Sequence, residues 1–392
     1  MSERIVSPAG LGFLLVDSHP AGCFRTVADM REQLGEARAP GRKPTALVIG
    51  SSAGYGLAAT VAGLTRHGIE GIGIAFEQPP GRRTATAGWY RTIATAKLSP
   101  AFTFLNADAF ADTTKQQALD LIADRFGGLD VLVYSVAAPR RTDPRSGTTH
   151  QSVIKPLGAE HTTRTLGFDR DGRPELREVT AAPATEDEAA ATVKVMGGED
   201  WSWWVEALAS RDLLRDGFTT VALSYIGSKL TSAIYRDGTI GAAKVDLENT
   251  AAALTERLTP VGGRAFTSVN GAAVTQASTA IPGIALYVSL LRSVLGDRMQ
   301  SPLEQSVQLW DQLTGAAPLD LDDEGRIRLD RWELDPAVQA EVARRWAAVT
   351  PATVDEVADI AWFRRQFRSL YGFDVPGVDY TAPVETDQPW PA

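Results

Sequence analysis

Apolar and polar positions alternate along this chain in two registers, short runs and helical stripes. Thr45 to Gly50 (TALVIG) is a brief apolar run ending in glycine, the pattern of a buried parallel strand. Gly54 to His67 then carries a helical pattern. Gly71 to Phe76 predicts a second strand and Ala101 to Leu105 a third. Ala111 to Phe126 places Ala118, Leu119, Ile122 and Phe126 on one helical face. Leu129 to Ser135 predicts a fourth strand, and the sheet resumes at Thr219 to Ser224 and Ala265 to Val269. Strands alternating with helices predict an α/β fold with a doubly wound parallel sheet.

An insertion of roughly Arg140 to Gly217 interrupts the sheet. In its polar first half, Thr162 to Thr165 and Glu175 to Val179 can pair as a hairpin around the turn residues 169–172. Its second half, Glu186 to Leu214, has a helical pattern and carries Trp201, Trp203 and Trp204. No composition shift marks a linker. The reading is one enlarged domain over 1–392. Residues 40–139 and 218–300 form the nucleotide-binding core, 140–217 a substrate-covering insertion with hairpin and helices, and 301–392 a helical extension.

The glycine spacing at Gly50-Ser51-Ser52-Ala53-Gly54-Tyr55-Gly56 lies where a strand turns into a helix. Glycine lets a pyrophosphate approach the backbone, and the helix N-terminus stabilises the anion. A tight turn without ligand is the plainer alternative. At the end of the second strand, the carboxylate of Glu77, after Phe76, can accept from ribose hydroxyls and repel a 2′-phosphate, which favours NADH over NADPH. Arg82 and Arg83 oppose that preference. Asp108-Ala109 and Val136-Ala137 follow strands three and four, at the ends where cofactors bind in open sheets.

Tyr225, Tyr235 and Lys244 follow the fifth strand. Nine residues at ~100° each would put Tyr235 and Lys244 on opposite faces of one helix. Tyr235 is therefore expected before the helix, with Asp237-Gly238-Thr239 as break and cap, and Lys244 in the first turns. A phenol beside a developing enolate oxygen can hydrogen-bond it and supply a proton. Lys244 can hold the nicotinamide ribose, and its charge, with that of the oxidised nicotinamide, is expected to lower the tyrosine pKa. Tyr225 is expected as a second donor or an acyl-thioester contact.

Composition narrows the class. A net charge of -9 with no basic stripe argues against nucleic-acid binding. Cys23 is the only cysteine, which excludes an intrachain disulfide and fits a reducing compartment. The four histidines lack metal-ligand spacing, so no metal is expected. The start of the chain does not look like a signal peptide. Ile281 to Leu291 is shorter than the ~20 apolar residues of a membrane span. It reads as a core helix or the wall of an acyl channel, which Trp201, Trp203 and Trp204 could close.

Motifs in order along nearly the whole chain resemble the FabV-type trans-2-enoyl-CoA/ACP reductases. They are His19-Pro-Ala-Gly-Cys23, Leu47 to Leu57, Phe76-Glu77, Thr86 to Tyr90, Asp108-Ala109 and Val195 to Trp201. They continue with Ser224 to Gly227, Tyr235, Gly238 to Gly241, Lys244, Val274 to Pro282, Trp332-Glu-Leu and Tyr371 to Phe373. The resemblance implies an enlarged Rossmann enzyme, short-chain dehydrogenase-like and monomeric, while the single cysteine and the start of the chain fit a cytoplasmic one. It would use NADH to reduce the C2–C3 double bond of enoyl-CoA or enoyl-acyl-carrier-protein. It implies Tyr235 as the acid, Lys244 as a cofactor contact and Tyr225 as a substrate contact. It also implies Gly50 to Tyr55, Phe76, Glu77, Asp108, Ala109, Val136, Ala137, Ala273, Val274 and Thr275 as cofactor lining. Lys229 and Ala233 depart from the family pattern. Two other readings stay open: a carbonyl reductase acting on 3-oxoacyl thioesters, and a nucleotide-binding protein without turnover.

Overall fold

The computed structural model describes residues 3–35, 43–169, 173–279 and 281–391. Among these, seven strands form the main sheet. They are β1 (Thr45–Ile49), β2 (Glu70–Ala75), β3 (Phe102–Asn106), β4 (Leu129–Tyr134), β5 (Leu214–Ser224), β6 (Arg264–Val269) and β7 (Ile327–Arg328). Their order is β7-β6-β5-β4-β1-β2-β3, with parallel pairing throughout. The order reverses beside β1, which opens a crevice at the C-terminal ends of β1 and β4.

Alternation along the strands explains both covered faces. Leu47, Ile49, Ile72, Ile74, Leu132 and Ala222 face one core, with α4 (Asp112–Phe126), α6 (Glu199–Ala209) and α7 (Thr239–Leu258). Ala46, Val48, Val131, Val133, Val221 and Phe266 face the other, with α1 (Pro20–Leu34), α2 (Gly54–Ala62) and α10 (Pro302–Leu313). A third core gathers α9 (Ile284–Leu295), α11 (Pro336–Ala348) and α13 (Ile360–Ser369).

The remaining helices are α3 (Ala87–Ala96), α5 (Glu186–Met196), α8 (Gln276–Thr279) and α12 (Val354–Val357). Helices α1 and α3 are not predicted from the pattern above, and neither is β7. The 301–392 segment, expected as helical, thus also supplies a strand to the main sheet. The insertion pairs 161–168 with 174–181 in antiparallel register, Thr163 opposite Val179. Of its turn, residues 170–172 lie outside the described residues. The helical half divides into α5 and α6 at Gly197-Gly198, where a Cβ would collide with Asp246 and Thr250 of α7.

Candidate active site

The strand–turn–helix from β1 to α2 is built around three glycines. Gly50 has φ +84°, and a Cβ there would lie 1.9 Å from the Ser135 carbonyl oxygen. Gly54 has φ +53°, a region that favours glycine. A Cβ at Gly56 would lie 2.0 Å from the Gly50 carbonyl. The N-cap, Ala53, offers no side-chain acceptor. The first N–H groups of α2 therefore face the crevice as an anion cradle, so the donor set fits a dinucleotide pyrophosphate.

The predicted cofactor residues lie around this turn. Phe76 is 68% exposed just beyond β2. Glu77 folds back over the turn: Ser52 Oγ donates to Oε1 at 2.5 Å and the Thr86 hydroxyl donates to Oε2. Gly88 must be glycine for that carboxylate to sit on the start of α3. Arg82 and Arg83 are exposed. Asp108 Oδ1 accepts from Phe110 N at 3.0 Å. The Ala109 carbonyl accepts from Lys115 Nζ and Trp204 Nε1. Val136 and Ala137 follow β4. Ala273, Val274 and Thr275 follow β6, and Thr275 lies over Gly54, 3.6 Å from where a Cβ would be.

Tyr235 lies in a run of turns and α7 begins at Thr239, so the phenol precedes the helix and Lys244 is its sixth residue. The N-cap is Gly238, without a side-chain hydrogen bond; Thr239 instead donates to the Val153 carbonyl at 2.6 Å and fastens the insertion. Gly241 lets the Tyr235–Arg236 turn rest on the first turn of α7, since a Cβ there would be 2.0 Å from Arg236 O. Lys244 Nζ points toward the Leu223 carbonyl at 3.4 Å, near the end of β5. Tyr225, two residues on, meets Tyr235 edge to face with centroids 4.7 Å apart.

Two expectations about the tyrosines need correction. Tyr225 is not a free donor: its O–H is donated to Glu333 Oε1 at 2.8 Å, which leaves its ring and lone pairs for contact. Tyr235 is pushed up from its ordinary pKa rather than down, because burial dominates and the Glu333 carboxylate adds to it. Lys244 is lowered to about 8 by burial, with Glu248 opposing.

Glu333, which has no role in the sequence pattern, sits in the turn between β7 and α11. Tyr287 Oη on α9 donates to the same Oε1 at 2.7 Å, and the Ala272 N–H donates to Oε2. Gln339 Nε2 holds Tyr287 Oη at 3.0 Å and the Glu333 carbonyl at 2.7 Å. Tyr55 donates to the Gly271 carbonyl, and Gln305 accepts from Gly271 N at 2.8 Å. Burial lifts Glu333 to about 7 against these hydrogen bonds. An acid in the apolar setting of Trp332-Glu-Leu334 is the signal that could have found it.

Of the tryptophans, Trp201 and Trp204 are fully buried in the sheet core, and Trp203 packs beneath Arg141 and Arg145. Trp201 and Trp204 belong to a cluster separate from that of Tyr235, and Trp203 is covered by the two arginines, so the three do not close a channel over Tyr235. Ile281 and Ile284 do pack around Tyr235. A cavity of about 570 Å³ opens between Phe13, Leu14, Leu15, Thr86, Gln276, Thr279 and Tyr371.

Comparison with known proteins assigns the chain throughout its length. The family model for the trans-2-enoyl-CoA reductase catalytic region matches residues 83–314. The NAD(P)H binding domain of the same family matches 5–82, and an enoyl reductase FAD binding domain matches 321–384. An enoyl-[acyl-carrier-protein] reductase [NADH] from Streptomyces avermitilis is 69% identical, covering 98% of this chain and all of the relative. A trans-2-enoyl-CoA reductase [NADH] from Ruminiclostridium cellulolyticum is 41% identical over 98% of both chains. The crystal structure of Clostridium acetobutulicum trans-2-enoyl-CoA reductase in complex with NADH superposes with a TM-score of 0.90, at 36% identity and 98% coverage of each. The chain belongs to the trans-2-enoyl-CoA reductase family.

Proposed function

We infer that this protein is an oxidoreductase that uses NADH to reduce the C2–C3 double bond of trans-2-enoyl thioesters, with Tyr235 as its acid. NADH, when bound, supplies the hydride that adds to C3. Charge then develops on the thioester oxygen, and the Tyr235 phenol hydrogen-bonds that oxygen and delivers a proton. The pair of electrons from the broken double bond ends in a C–H bond at C2 once the proton settles there. Lys244 holds the nicotinamide ribose, and the N–H groups that open α2 hold the pyrophosphate.

One observation carries the role of Tyr235. Among the described residues its hydroxyl has no protein hydrogen-bond partner, while the neighbouring phenol of Tyr225 is committed to Glu333. Of the two rings, only Tyr235 keeps a proton free to give. Glu77, already aligned by Ser52 and Thr86, suits ribose hydroxyls and opposes a 2′-phosphate.

The finer reading is a cytoplasmic monomer whose 1–392 fold as one enlarged unit. The strand that 301–392 adds to the sheet supports the single unit, as does the pairing of Glu3–Arg4 with Val384–Glu385. No helix among the described residues is long and apolar enough to cross a membrane. Enoyl-CoA and enoyl-carrier-protein present the same thioester head, and the proposed residues serve either.

The test is NADH oxidation by the purified protein with crotonyl-CoA, against NADPH and a 3-oxoacyl-CoA as controls. Turnover with NADH and crotonyl-CoA is expected. Faster reduction of the 3-oxoacyl thioester would favour a carbonyl reductase instead. NADH binding without oxidation of any enoyl-CoA or enoyl-carrier-protein would contradict the reading.

A further inference from the structure

Glu333 is the group that joins the two halves of the site. It is fully buried, and no lysine or arginine pairs with it among the described residues. Its carboxylate has three donors: the phenols of Tyr225 and Tyr287 on Oε1 and the Ala272 N–H on Oε2. Trp332 fixes the turn that carries it, packed so closely on Gly271 that a Cβ there would lie 2.3 Å from the indole. Arg328 holds the preceding Asp330 through two hydrogen bonds of 2.7 Å. One oxygen of Glu333 therefore sets the tyrosine pair, and the other sets the segment that runs from Ala272 to Thr275 over the Gly-rich turn.

We propose that Glu333 is a positioning residue for the reduction: as a carboxylate it draws the Tyr225 proton inward, fixes the ring against which Tyr235 rests, and anchors the cofactor-side backbone at Ala272. This rests on the reading of Tyr235 as the acid. The arrangement works only with the carboxylate ionised. A proton on Glu333 turns one of its oxygens into a donor, so either the phenols on Oε1 or the Ala272 N–H on Oε2 then face an O–H in place of a full acceptor. The groups that face it are Tyr225 after β5, Tyr235 before α7, Tyr287 on α9, Tyr55 on α2, Gln339 on α11 and Asp330 in its own turn. Of the carboxylates among them, Glu333 is the one that touches both Tyr225 and the Ala272 backbone, so the low-pH side of the rate profile is expected to report it.

The experiment is steady-state reduction of crotonyl-CoA by full-length Glu333→Gln across pH 5.5–9, beside the parent and Tyr235→Phe. Glutamine keeps an acceptor for the phenols but presents no acceptor to Ala272 N–H once its oxygen faces them. We expect kcat to fall about 10- to 100-fold, with the fold retained by circular dichroism. The parental loss of rate below pH ~7 should be absent from the variant. Tyr225→Phe keeps the test alive should Glu333→Gln not fold: it removes a donor that favours the ionised form, so the parental limb must move to higher pH. A Glu333→Gln enzyme with parental kcat and the parental low-pH limb overturns the proposal, as does a limb unmoved in Tyr225→Phe. Tyr235→Phe separates the two claims. If it is inactive while Glu333→Gln matches the parent, only the role of Glu333 falls; if it is fully active, the reading of Tyr235 falls first.

Discussion

Two buried carboxylates, Asp200 and Glu333, are held in opposite ways. Asp200, at the start of α6, faces a cation: Lys115 Nζ lies 2.7 Å from Oδ1, and Tyr134 donates to Oδ2 at 3.1 Å. The same ammonium donates to the carbonyls of Ala109 and Phe110 at 3.1 Å, so all three of its protons are used. The pair pins the loop after β3, part of the predicted cofactor lining. Glu333 has two phenols and one amide instead. Its charge is compensated only by dipoles, and burial brings it to about 7. Burial raises the pKa of Asp200 as well, but there the Lys115 ammonium opposes the shift, whereas no cation opposes it at Glu333. The first arrangement suits a scaffold, and the second suits a site where proton position decides which phenol is free to give.

The sharpest way to separate the two is to remove the cation. Lys115→Met leaves Asp200 buried and unpaired, and should cost about 3–5 kcal/mol of stability in denaturant unfolding. Retention of parental stability would show that the pair is not structural.

The corresponding change at the other carboxylate has the opposite sign. The folded pKa of Glu333 is raised from 4.5 to about 7, so its contribution to stability is present below pH 4.5 and lost as pH rises to about 7. The loss is roughly 3 kcal/mol over that window. Glu333→Gln cannot show it, so its unfolding midpoint relative to the parent should improve between pH 5 and pH 8. A pH-independent difference would remove the titration from the account.

Lys244 offers a smaller contrast within the site. Burial lowers it to about 8, so it is charged below that pH and loses its proton above. The rate of the parent should fall as pH rises through about 8. Lys244→Arg, whose guanidinium keeps its charge, should move that limb out of range at some cost in rate, measured as kcat/KM for NADH.

The smallest effect belongs to Glu77, which is only half-buried. A charge near water is worth ~1 kcal/mol against a 2′-phosphate, so Glu77→Ala should narrow the preference for NADH over NADPH about fivefold. An unchanged ratio would place the discrimination elsewhere.

How much of this was legible follows the reach of each interaction. The β1–α2 turn, strands two to six and the hairpin rest on local signals: apolar runs, period, glycine and turn residues. Strand ends shifted by about a residue, and β5 begins at Leu214 rather than Thr219 because a bulge lies between the two. Helix α3 carries the motif Thr86 to Tyr90 but no legible period; its place comes from long-range partners, Glu77 on Gly88 and Arg91 on the carbonyls of Ser369 and Leu370. The same holds for His19 to Cys23, where Gly22 meets Gly372 backbone to backbone. Strand β7 is two residues long, too short to carry a period. In the site, the break between Tyr235 and Lys244 was legible from spacing alone. Glu333 was not, because its three donors come from residues 225, 272 and 287, and only the fold brings them to residue 333.

The central claim is that, of the paired phenols Tyr225 and Tyr235, Tyr235 keeps its proton free to reach the substrate. It is tested most directly by the rate of NADH oxidation with saturating crotonyl-CoA in Tyr235→Phe, with NADH affinity measured separately by fluorescence. The account predicts a loss of about 100-fold or more with NADH affinity and fold intact. A phenylalanine variant that turns over at the parental rate would contradict it.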